Sequence, residues 1–330
     1  MMKHEAPLDK EARCVKIVVV THIIKEGEML DWIVTLLTAT EKTTFFGTVK
    51  DGFLHGIVPS LPFLGVALLF LLIGKLINDL LTPYRIDEEV TGKGNPALGV
   101  ALAGYYVGIA LAISGSFIGE SKGFWQDMRD VALYSLAAIV LLNVARYIND
   151  YLILYRFSNR REIIEDRNVG TGAVVAGGYI ATGLIVRASI AGEGGGWLSV
   201  LIFFLLGQVV LILAGLWYQL ITPYDVHEVI GERNNAAAGA AFGGFLFAVG
   251  YLVHQGMLGD FTGWSSDLAI FLLYVVCSLI LLWIIRLITD LVFLPRARMS
   301  REIAGKANIA ASLIAVSIYI ASVFIIAHAV

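Results

Sequence analysis

The amino-acid sequence predicts an all-α membrane protein, a polytopic helical bundle of about eight transmembrane helices in four tandem helical hairpins. Composition is the first reason, because 58% of the 330 residues are apolar and only 15% are charged, against about half and a quarter in soluble domains. The second reason is a set of eight apolar runs, each close to the roughly 20 residues that cross a bilayer. The runs lie near 61–81, 97–118, 131–154, 169–190, 197–221, 236–257, 267–294 and 309–329.

These runs are continuously apolar, which favours helices over the alternating pattern of barrel strands. Their predicted boundaries leave short polar connectors on both sides of the membrane.

A fourfold internal repeat is the third reason. It is marked by four asparagines that each precede a small residue at the fourth and at the ninth position. The asparagines are Asn95, Asn168, Asn235 and Asn308, and the small residues are Gly99, Gly104, Gly172, Gly177, Gly239, Gly244, Ser312 and Ser317. We call the four copies repeats 1 to 4. Repetition of this kind predicts a tandem array, in which each repeat contributes two spans.

The repeats group into two halves, since repeats 1 and 3 are alike and repeats 2 and 4 are alike. We therefore divide the chain into a tail with an interfacial amphipathic helix (1–59), a first four-helix half (60–193) and a second four-helix half (194–330). A short buried helix is the alternative for the segment after Met29. The basic residues of the first 28 positions fit the predicted topology poorly, which favours Met29 over Met1 as the start.

The connector within each hairpin, here called the hairpin loop, changes character between repeats. In repeat 1, Pro83 ends the first span, and we expect Thr82 to cap and Pro83 to open a short interfacial helix. Repeat 3 has the same pattern at Thr222 and Pro223. Repeats 2 and 4 carry longer basic loops.

Charge predicts the orientation of the protein. The four hairpin loops hold eleven Lys and Arg residues and the alternate connectors hold two, Lys122 and Arg129. The positive-inside rule therefore predicts cytoplasmic hairpin loops and an external C-terminus.

The segments LLTPYRIDEEVTGKGNPALGVALAG and QLITPYDVHEVIGERNNAAAGAAFGG resemble the family known as domain of unknown function 350, the YjfL-like bacterial inner-membrane proteins. The matching positions are Thr82, Pro83, Asn95 and Gly99, with their counterparts Thr222, Pro223, Asn235 and Gly239. Repeats 2 and 4 lack the Thr-Pro element. The resemblance covers residues 61–330 and implies two fused family members, a multi-pass topology and the bacterial inner membrane, but no activity.

Each repeat asparagine precedes a span, where asparagine is a preferred N-cap. An alternative interpretation is that the four capped N-termini face one vestibule and bind an anion or carboxylate. The glycines favour close helix packing, with a glycine-lined pore as the alternative.

A candidate polar pathway lies on the first span of each repeat. Three repeats place a cation four residues before an acid, on one helix face, and repeat 3 has a glutamine at the acid position. The residues are Lys75, Asp79, Arg146, Asp150, Gln219, Arg286 and Asp290. Interfacial ion pairing is the alternative, although charged groups inside spans are functional candidates by default.

The sequence lacks signals for several other functions. Net charge is −3 and no basic stripe with aromatics indicates nucleic acid. No catalytic, metal-binding or cofactor-binding motif is present, so we expect no enzyme activity, no metal and no cofactor. Cys14 and Cys277 form no CxxC motif, and Cys277 is interpreted as a small core residue.

The sequence thus favours a channel-like or carrier-like protein for a small ion or polar solute, with the lipid bilayer as its surroundings. The alternative is a non-transporting scaffold or stress-associated component that recruits partners through its cytoplasmic loops. A homo-oligomer and membrane-associated protein partners both remain open.

Overall fold

The computed structural model describes residues 53, 58–192, 194–294 and 297–329. The chain divides into a unit of residues 1–64 and a compact unit of residues 65–330, and the second unit holds nearly all of both halves. The interfacial helix predicted within residues 29–59 and the choice between Met1 and Met29 fall outside the described residues, apart from Phe53 and the start of the first helix.

The described residues form helices and no strands, which confirms the predicted fold class. Eight of these helices are long and apolar enough to cross a membrane, and α4 and α9 are short loop helices. The ten α-helices are α1 Val58–Leu81, α2 Pro96–Ser114, α3 Phe124–Leu152, α4 Asn159–Ile164, α5 Val169–Ile190, α6 Gly196–Ile221, α7 Ala236–Met257, α8 Trp264–Val292, α9 Met299–Lys306 and α10 Ile309–Ala329.

Two spans begin earlier than their hydropathy predicts. Helix α3 begins at Phe124 rather than near residue 131, since Asp127 in its first turn accepts hydrogen bonds from Ser121 Oγ (2.6 Å) and from the Lys122 amide (2.8 Å). Asp267 plays the same part at the start of α8, where it accepts from the Thr262 hydroxyl (2.6 Å). An acid in the first turn stabilises a helix N-terminus, so polar residues extend these helices beyond their apolar runs.

The second span of each repeat is an inner helix, and the first span is an outer helix. The inner helices α2, α5, α7 and α10 contact one another in sequence order. Burial is greatest in the two central helices of this row, since 72% of the most apolar window of α5 and of α7 is buried, against 6% for α1 and 22% for α8. The outer helices α1 and α8 therefore leave most of their apolar side chains uncovered by the rest of the protein.

The inner helices pack closely at three joints between consecutive repeats, and a glycine lies at each of them. At each joint the ninth residue after one asparagine meets the eighth residue after the next: Gly104 with Ala176, Gly177 with Gly243, and Gly244 with Val316. A Cβ atom added to Gly177 would lie 2.2 Å from the carbonyl oxygen of Gly243. The backbones are therefore too close there for any larger residue, as in other small-residue membrane contacts.

The repeat asparagines have two roles. Each side-chain oxygen accepts from the backbone amide three residues later, and thereby caps its inner helix, as with Asn95 and Leu98 (3.2 Å). In the first three repeats the side-chain amide donates to a loop carbonyl of the next repeat: Asn95 to Ile163, Asn168 to Ile230 and Asn235 to Ile303, at 2.7–2.9 Å. The three side chains are at most 3% exposed. These three side-chain amides are thus engaged in contacts between repeats.

The hairpin loops of repeats 1 and 3 differ from the prediction. Thr82 does not cap a following helix, because its hydroxyl donates back to the Asp79 carbonyl (3.1 Å). Thr222 likewise donates to the Tyr218 carbonyl (2.6 Å). The loops then form π-helical turns at Glu88–Gly92 and Glu228–Glu232.

Cys277 was expected in the core, and that expectation is wrong. Its side chain is exposed, because it lies on α8, an outer helix with a largely lipid-facing surface.

Candidate functional site

The polar residues of the outer helices gather where these helices meet the hairpin loops, which we call the loop end. In the first half they surround Arg146 on α3. The Arg146 Nη1 donates to the Asn78 side-chain oxygen of α1 (3.0 Å), and its Nε lies 4.0 Å from the Asp150 carboxylate. Asp150 also accepts from the side-chain amide of Asn159 on α4 (2.9 Å). The arginine is thus held by two outer helices, and its acid is held by the loop.

A cleft opens beside this cluster. It encloses about 70 Å³, which is room for a few water molecules or a small ion. Its polar lining residues are Asn78, Tyr84, Tyr105, Arg146, Asp150, Asn159, Arg160 and Tyr179. Two guanidinium groups and one carboxylate share this space, so the cleft carries a net positive charge and several neutral hydrogen-bonding groups.

Arg146 retains little exposure, with 14% of its side chain accessible, against 33% for Asp150. Burying a cation to this extent costs free energy unless nearby acceptors offset the lost solvation. Here the acceptors are a neutral amide oxygen at hydrogen-bond distance and a carboxylate 4.0 Å away. This incomplete pairing leaves guanidinium N–H groups available to a polar or anionic solute in the cleft.

The second half contains the same residues 140 positions later: Tyr84, Arg146, Asp150 and Tyr179 correspond to Tyr224, Arg286, Asp290 and Tyr319. Their geometry differs. Arg286 donates to the Tyr319 hydroxyl (3.1 Å) and its guanidinium carbon lies 5.0 Å from the centre of the Tyr218 ring.

Tyr218 occupies the position of Asn78, and its bulk fills the space that is open in the first half. Arg286 is 6% exposed. Asp290 accepts from the Ser300 amide (2.6 Å) and hydroxyl, so the expected pair of Arg286 with Asp290 is replaced by separate partners. The second arginine centre is therefore closed.

Repeats 1 and 3 place their candidate residues nearer the surface. Lys75 and Asp79 pair at 2.7 Å, with side chains 41% and 32% exposed. Gln219 accepts from the Val226 amide (2.9 Å) and thereby fixes the loop of repeat 3. The seven residues of the predicted pathway thus form two arginine centres and two loop-end contacts, and they do not form one continuous row.

A polar track continues from the cleft toward the membrane interior. The Asn143 amide donates to the Tyr105 hydroxyl (3.1 Å), which donates to the Gly74 carbonyl (3.1 Å). The next polar residue on this face of α3 is Ser135, which is fully buried. Ile139 and Leu142, also fully buried, lie between Asn143 and Ser135. The track is therefore interrupted by an apolar layer.

A second cleft lies at the opposite end of the bundle, where α5 and α6 meet α7 and α8. It encloses about 360 Å³, and its lining includes Ser189, Ser199, Asp260 and Asp267. Clefts are thus present at both ends of the helices, with packed side chains between them.

The loop end also contains an interaction between the halves. Arg156 of repeat 2 pairs with Asp225 of repeat 3. His227, 4% exposed, directs Nε2 at the Ile153 carbonyl (3.1 Å), and burial lowers the pKa of this imidazole below 6.5. Sequence analysis did not single out His227.

The tyrosines around both arginines were missed as well. The available signal was their recurrence, since Tyr84 and Tyr224 follow the Thr-Pro elements, and Tyr179 and Tyr319 are each eleven residues after a repeat asparagine. Among the described residues, no group of three His, Cys, Asp or Glu side chains is placed to hold a metal ion.

The chain is similar to two bacterial transmembrane proteins. A "UPF0719 transmembrane protein" of Aquifex aeolicus (strain VF5) is 27% identical over 266 residues, which cover 79% of this chain and 96% of the relative. Another "UPF0719 transmembrane protein", from Mycolicibacterium paratuberculosis (strain ATCC BAA-968 / K-10), is 27% identical over 147 residues, which cover 44% of this chain and 95% of the relative. No solved structure matches the chain.

The family model for the Domain of Unknown Function (DUF350) matches the chain twice, at residues 52–190 and 194–330. Each match contains one arginine centre and two repeats. The chain therefore belongs to the DUF350 family, as a multi-pass membrane protein with two tandem copies of the domain.

Proposed function

We propose that this membrane protein is a carrier-like protein for a small ion or polar solute, which binds in the loop-end cleft of the first half. The open cleft beside Arg146 supports this proposal most directly. An incompletely paired, largely buried cation inside a span destabilises the fold. Such a cation is therefore a candidate functional group. Its positive balance favours a small anionic or strongly dipolar solute.

A carrier fits the packing better than an open channel does. The apolar layer of Ile139 and Leu142 interrupts the polar track, and the inner helices α2, α5 and α7 are in backbone contact at their joints. Passage of a solute would need a rearrangement between the loop-end cleft and the opposite cleft. Alternating exposure of a central site is the usual behaviour of carriers.

The second half has a supporting role in this proposal. Its arginine centre is closed by Tyr218 and Tyr319, so it fixes α8 against α6 and α10 and binds no solute. No residue is assigned a catalytic role.

The bacterial inner membrane is part of the same proposal and rests on the resemblance to bacterial inner-membrane proteins, and the cytoplasmic position of the hairpin loops rests on the distribution of Lys and Arg. Single cysteines at Ser158 and Ser121, which are both exposed, would test it in chains that lack Cys14 and Cys277. In intact cells an impermeant thiol reagent should label the Ser121→Cys chain and leave the Ser158→Cys chain unlabelled. The reverse pattern would overturn the orientation.

The transport proposal can be tested with purified protein in liposomes that contain a pH-sensitive or anion-sensitive dye. Protons, chloride, nitrate, acetate and phosphate are the probes. Arg146→Gln should abolish the flux of the transported species and keep the fold, because water in the cleft can replace the donor that Asn78 loses. Lys75→Gln, at the exposed pair of α1, is the matched control and should keep the flux.

Absence of flux of every probe in the wild type would overturn the carrier proposal. It would favour the scaffold alternative, for which the exposed charged side chains of the hairpin loops, such as Arg161 and Glu165 (71% and 72% exposed), are the supporting observation. Capture of a defined membrane partner that is lost on reversing these loop charges would then be expected.

A further inference from the structure

The inner helices form a row in which α2 is the first and α10 is the last. Each of these two helices has one face that corresponds to a face covered at a joint between the other inner helices. On α2 this surface consists of Gly99, Ala103 and Ala110, which are four, eight and fifteen residues after Asn95. Ala103 and Ala110 are exposed, and a Cβ atom added at Gly99 would meet no atom within 4 Å. The same positions of α5 and α7 are buried against the preceding repeat.

The other end of the array is on α10. There Ala310, Ser317 and Ala321 are two, nine and thirteen residues after Asn308, and all three are exposed. In the earlier repeats these positions contact the following repeat. α2 and α10 thus carry complementary halves of one joint.

The joints within the chain define how these halves would meet. Position eight of a later repeat meets position nine of the earlier one at all three joints. Position four meets position two in each case as well, through Gly172 on Ala97, Gly239 on Gly170, and the Ser312 hydroxyl, which donates to the Ala237 carbonyl (2.7 Å). The match is therefore a repeated register and is not merely a row of small residues.

The hydrogen bonds of the asparagine amides also differ between the last repeat and the first three. In repeats 1 to 3 the asparagine amide donates to the loop carbonyl of the next repeat, and that carbonyl is five residues before the next asparagine. Asn308 belongs to the last of the four described repeats, and its amide donates to Glu302 of its own repeat (3.2 Å). In repeat 1 the carbonyl five residues before the asparagine is that of Val90, a residue that is 37% exposed.

The length of one relative indicates that a second protein chain covers the exposed surfaces of α2 and α10. The Mycolicibacterium protein matches 147 residues of this chain over 95% of its own length, so it is about half as long and accommodates one copy of the domain. A chain of that length has no second copy with which to form the joint between repeats 2 and 3. The joint that is closest here, at Gly177 and Gly243, would in that relative be formed between subunits.

We propose that this protein assembles head to tail with a second copy of itself, with the α10 surface of one chain against the α2 surface of the next. The expected contacts are Gly99 with Ala310, Ala103 with Ser317, and Ala110 with Ala321. A contact of this kind is heterologous, so it propagates to further copies and closes into a ring where the rotation at the joint permits.

Cysteine cross-linking between two differently tagged chains tests the proposal. One chain carries Ala103→Cys and the other carries Ser317→Cys, both with Cys14→Ser and Cys277→Ala, and the chains are co-expressed and oxidised in their native membranes. We expect a disulfide-linked dimer that contains both tags, several-fold more abundant than for the control pair Val144→Cys and Ile284→Cys. These control positions are exposed on outer helices, eight residues from the ends of α3 and α8.

Other outcomes would overturn the proposal. Cross-linking no stronger than in the control pair would mean that lipid covers both surfaces. Dimers between two Ala103→Cys chains would indicate a symmetric contact instead. In a separate Ala103→Cys variant that retains Cys14, a disulfide between these two cysteines of one chain would assign the α2 surface to the N-terminal segment.

A bulky substitution provides a second measurement that does not depend on disulfide formation. Ala103→Trp adds its ring to an exposed position, so we expect an unchanged melting temperature and a lower oligomeric mass in mild detergent. Val144→Trp is the matched control and should change neither. An unchanged mass for Ala103→Trp would contradict the proposed contact, whether or not the protein transports a solute.

Discussion

The side-chain amide of Asn168 donates to the carbonyl of Ile230, 2.7 Å away and 62 residues later in the chain. The same side chain caps α5 through the Thr171 amide (3.2 Å). One buried side chain thus determines where an inner helix begins and where the loop of the next repeat lies. This double role explains why an asparagine recurs where serine or aspartate would cap equally well, since neither of those side chains can donate the second bond through an amide.

We predict that Asn235→Ala destabilises the protein more than Asn308→Ala does. The first change removes a cap and leaves the buried Ile303 carbonyl without its donor at 2.9 Å, a combined loss of about 2–4 kcal/mol. The second removes a cap at the end of the array, a loss of about 1 kcal/mol. Melting temperatures in one detergent would measure the difference, and equal losses would contradict the role of Asn235 between repeats.

Gly172 and Gly99 provide a comparison at one repeat position in two environments. A Cβ atom at Gly172 would lie 2.4 Å from the Ala97 carbonyl oxygen, so Gly172→Ala should cost about 1–3 kcal/mol through overpacking. Gly99→Ala meets open space, so the stability of the isolated chain should stay constant or rise. Thermal unfolding of both variants in a detergent that keeps the protein monomeric checks this, and a loss for Gly99→Ala would show that its surface is covered within the chain.

Much of this architecture could be predicted from the sequence, for physical reasons. Apolar length determines a span, so the eight spans and the all-α class followed from composition and periodicity. The repeat at Asn95 and its counterparts indicated a tandem array before any contact was known. What spacing cannot provide is the direction of a side chain between helices, and the amide bonds from one repeat to the next were for that reason not predicted.

The candidate site was predicted only in part. Arg146, Asp150, Arg286 and Asp290 were selected as charged groups inside spans, and all four are near the loop end. Their pairing differed between the halves because one residue, Asn78 or Tyr218, decides whether the space beside the arginine is open. A rule based on a cation four residues before an acid contains no information about that third residue.

Arg286→Gln should destabilise the protein strongly. The substitution removes the donor to the Tyr319 hydroxyl and the cation packed on the Tyr218 ring, contacts that together account for roughly 2–5 kcal/mol. Arg146→Gln should cost less, because its cleft is open and water can replace the lost donor. Chemical unfolding of the two variants side by side is the measurement, and equal destabilisation would show that the two centres are equally closed.

His227 predicts a dependence of stability on pH. Burial is the main cause that lowers the pKa of its imidazole below 6.5; Arg156 lowers it further, while the Ile153 carbonyl and Asp225 partly offset the decrease. Near pH 6 the unfolded chain therefore binds a proton at this residue more readily than the folded protein does. Folding stability rises with pH wherever the unfolded state holds more protons. The contribution of His227 is complete above about pH 6.5 and is lost as the pH falls from that value through the pKa of the folded state.

His227→Gln should reduce this dependence, because glutamine cannot titrate and its amide can still donate to the Ile153 carbonyl. We expect the wild-type melting temperature to fall more between pH 8 and pH 5 than that of the variant, with the two curves parallel above pH 7. The other histidines and the neighbouring Asp225 and Glu228 are present in both proteins, so their titration largely cancels in the difference. Parallel curves over the whole range would mean that His227 accepts a proton equally well in the folded and unfolded chains, contrary to its buried position.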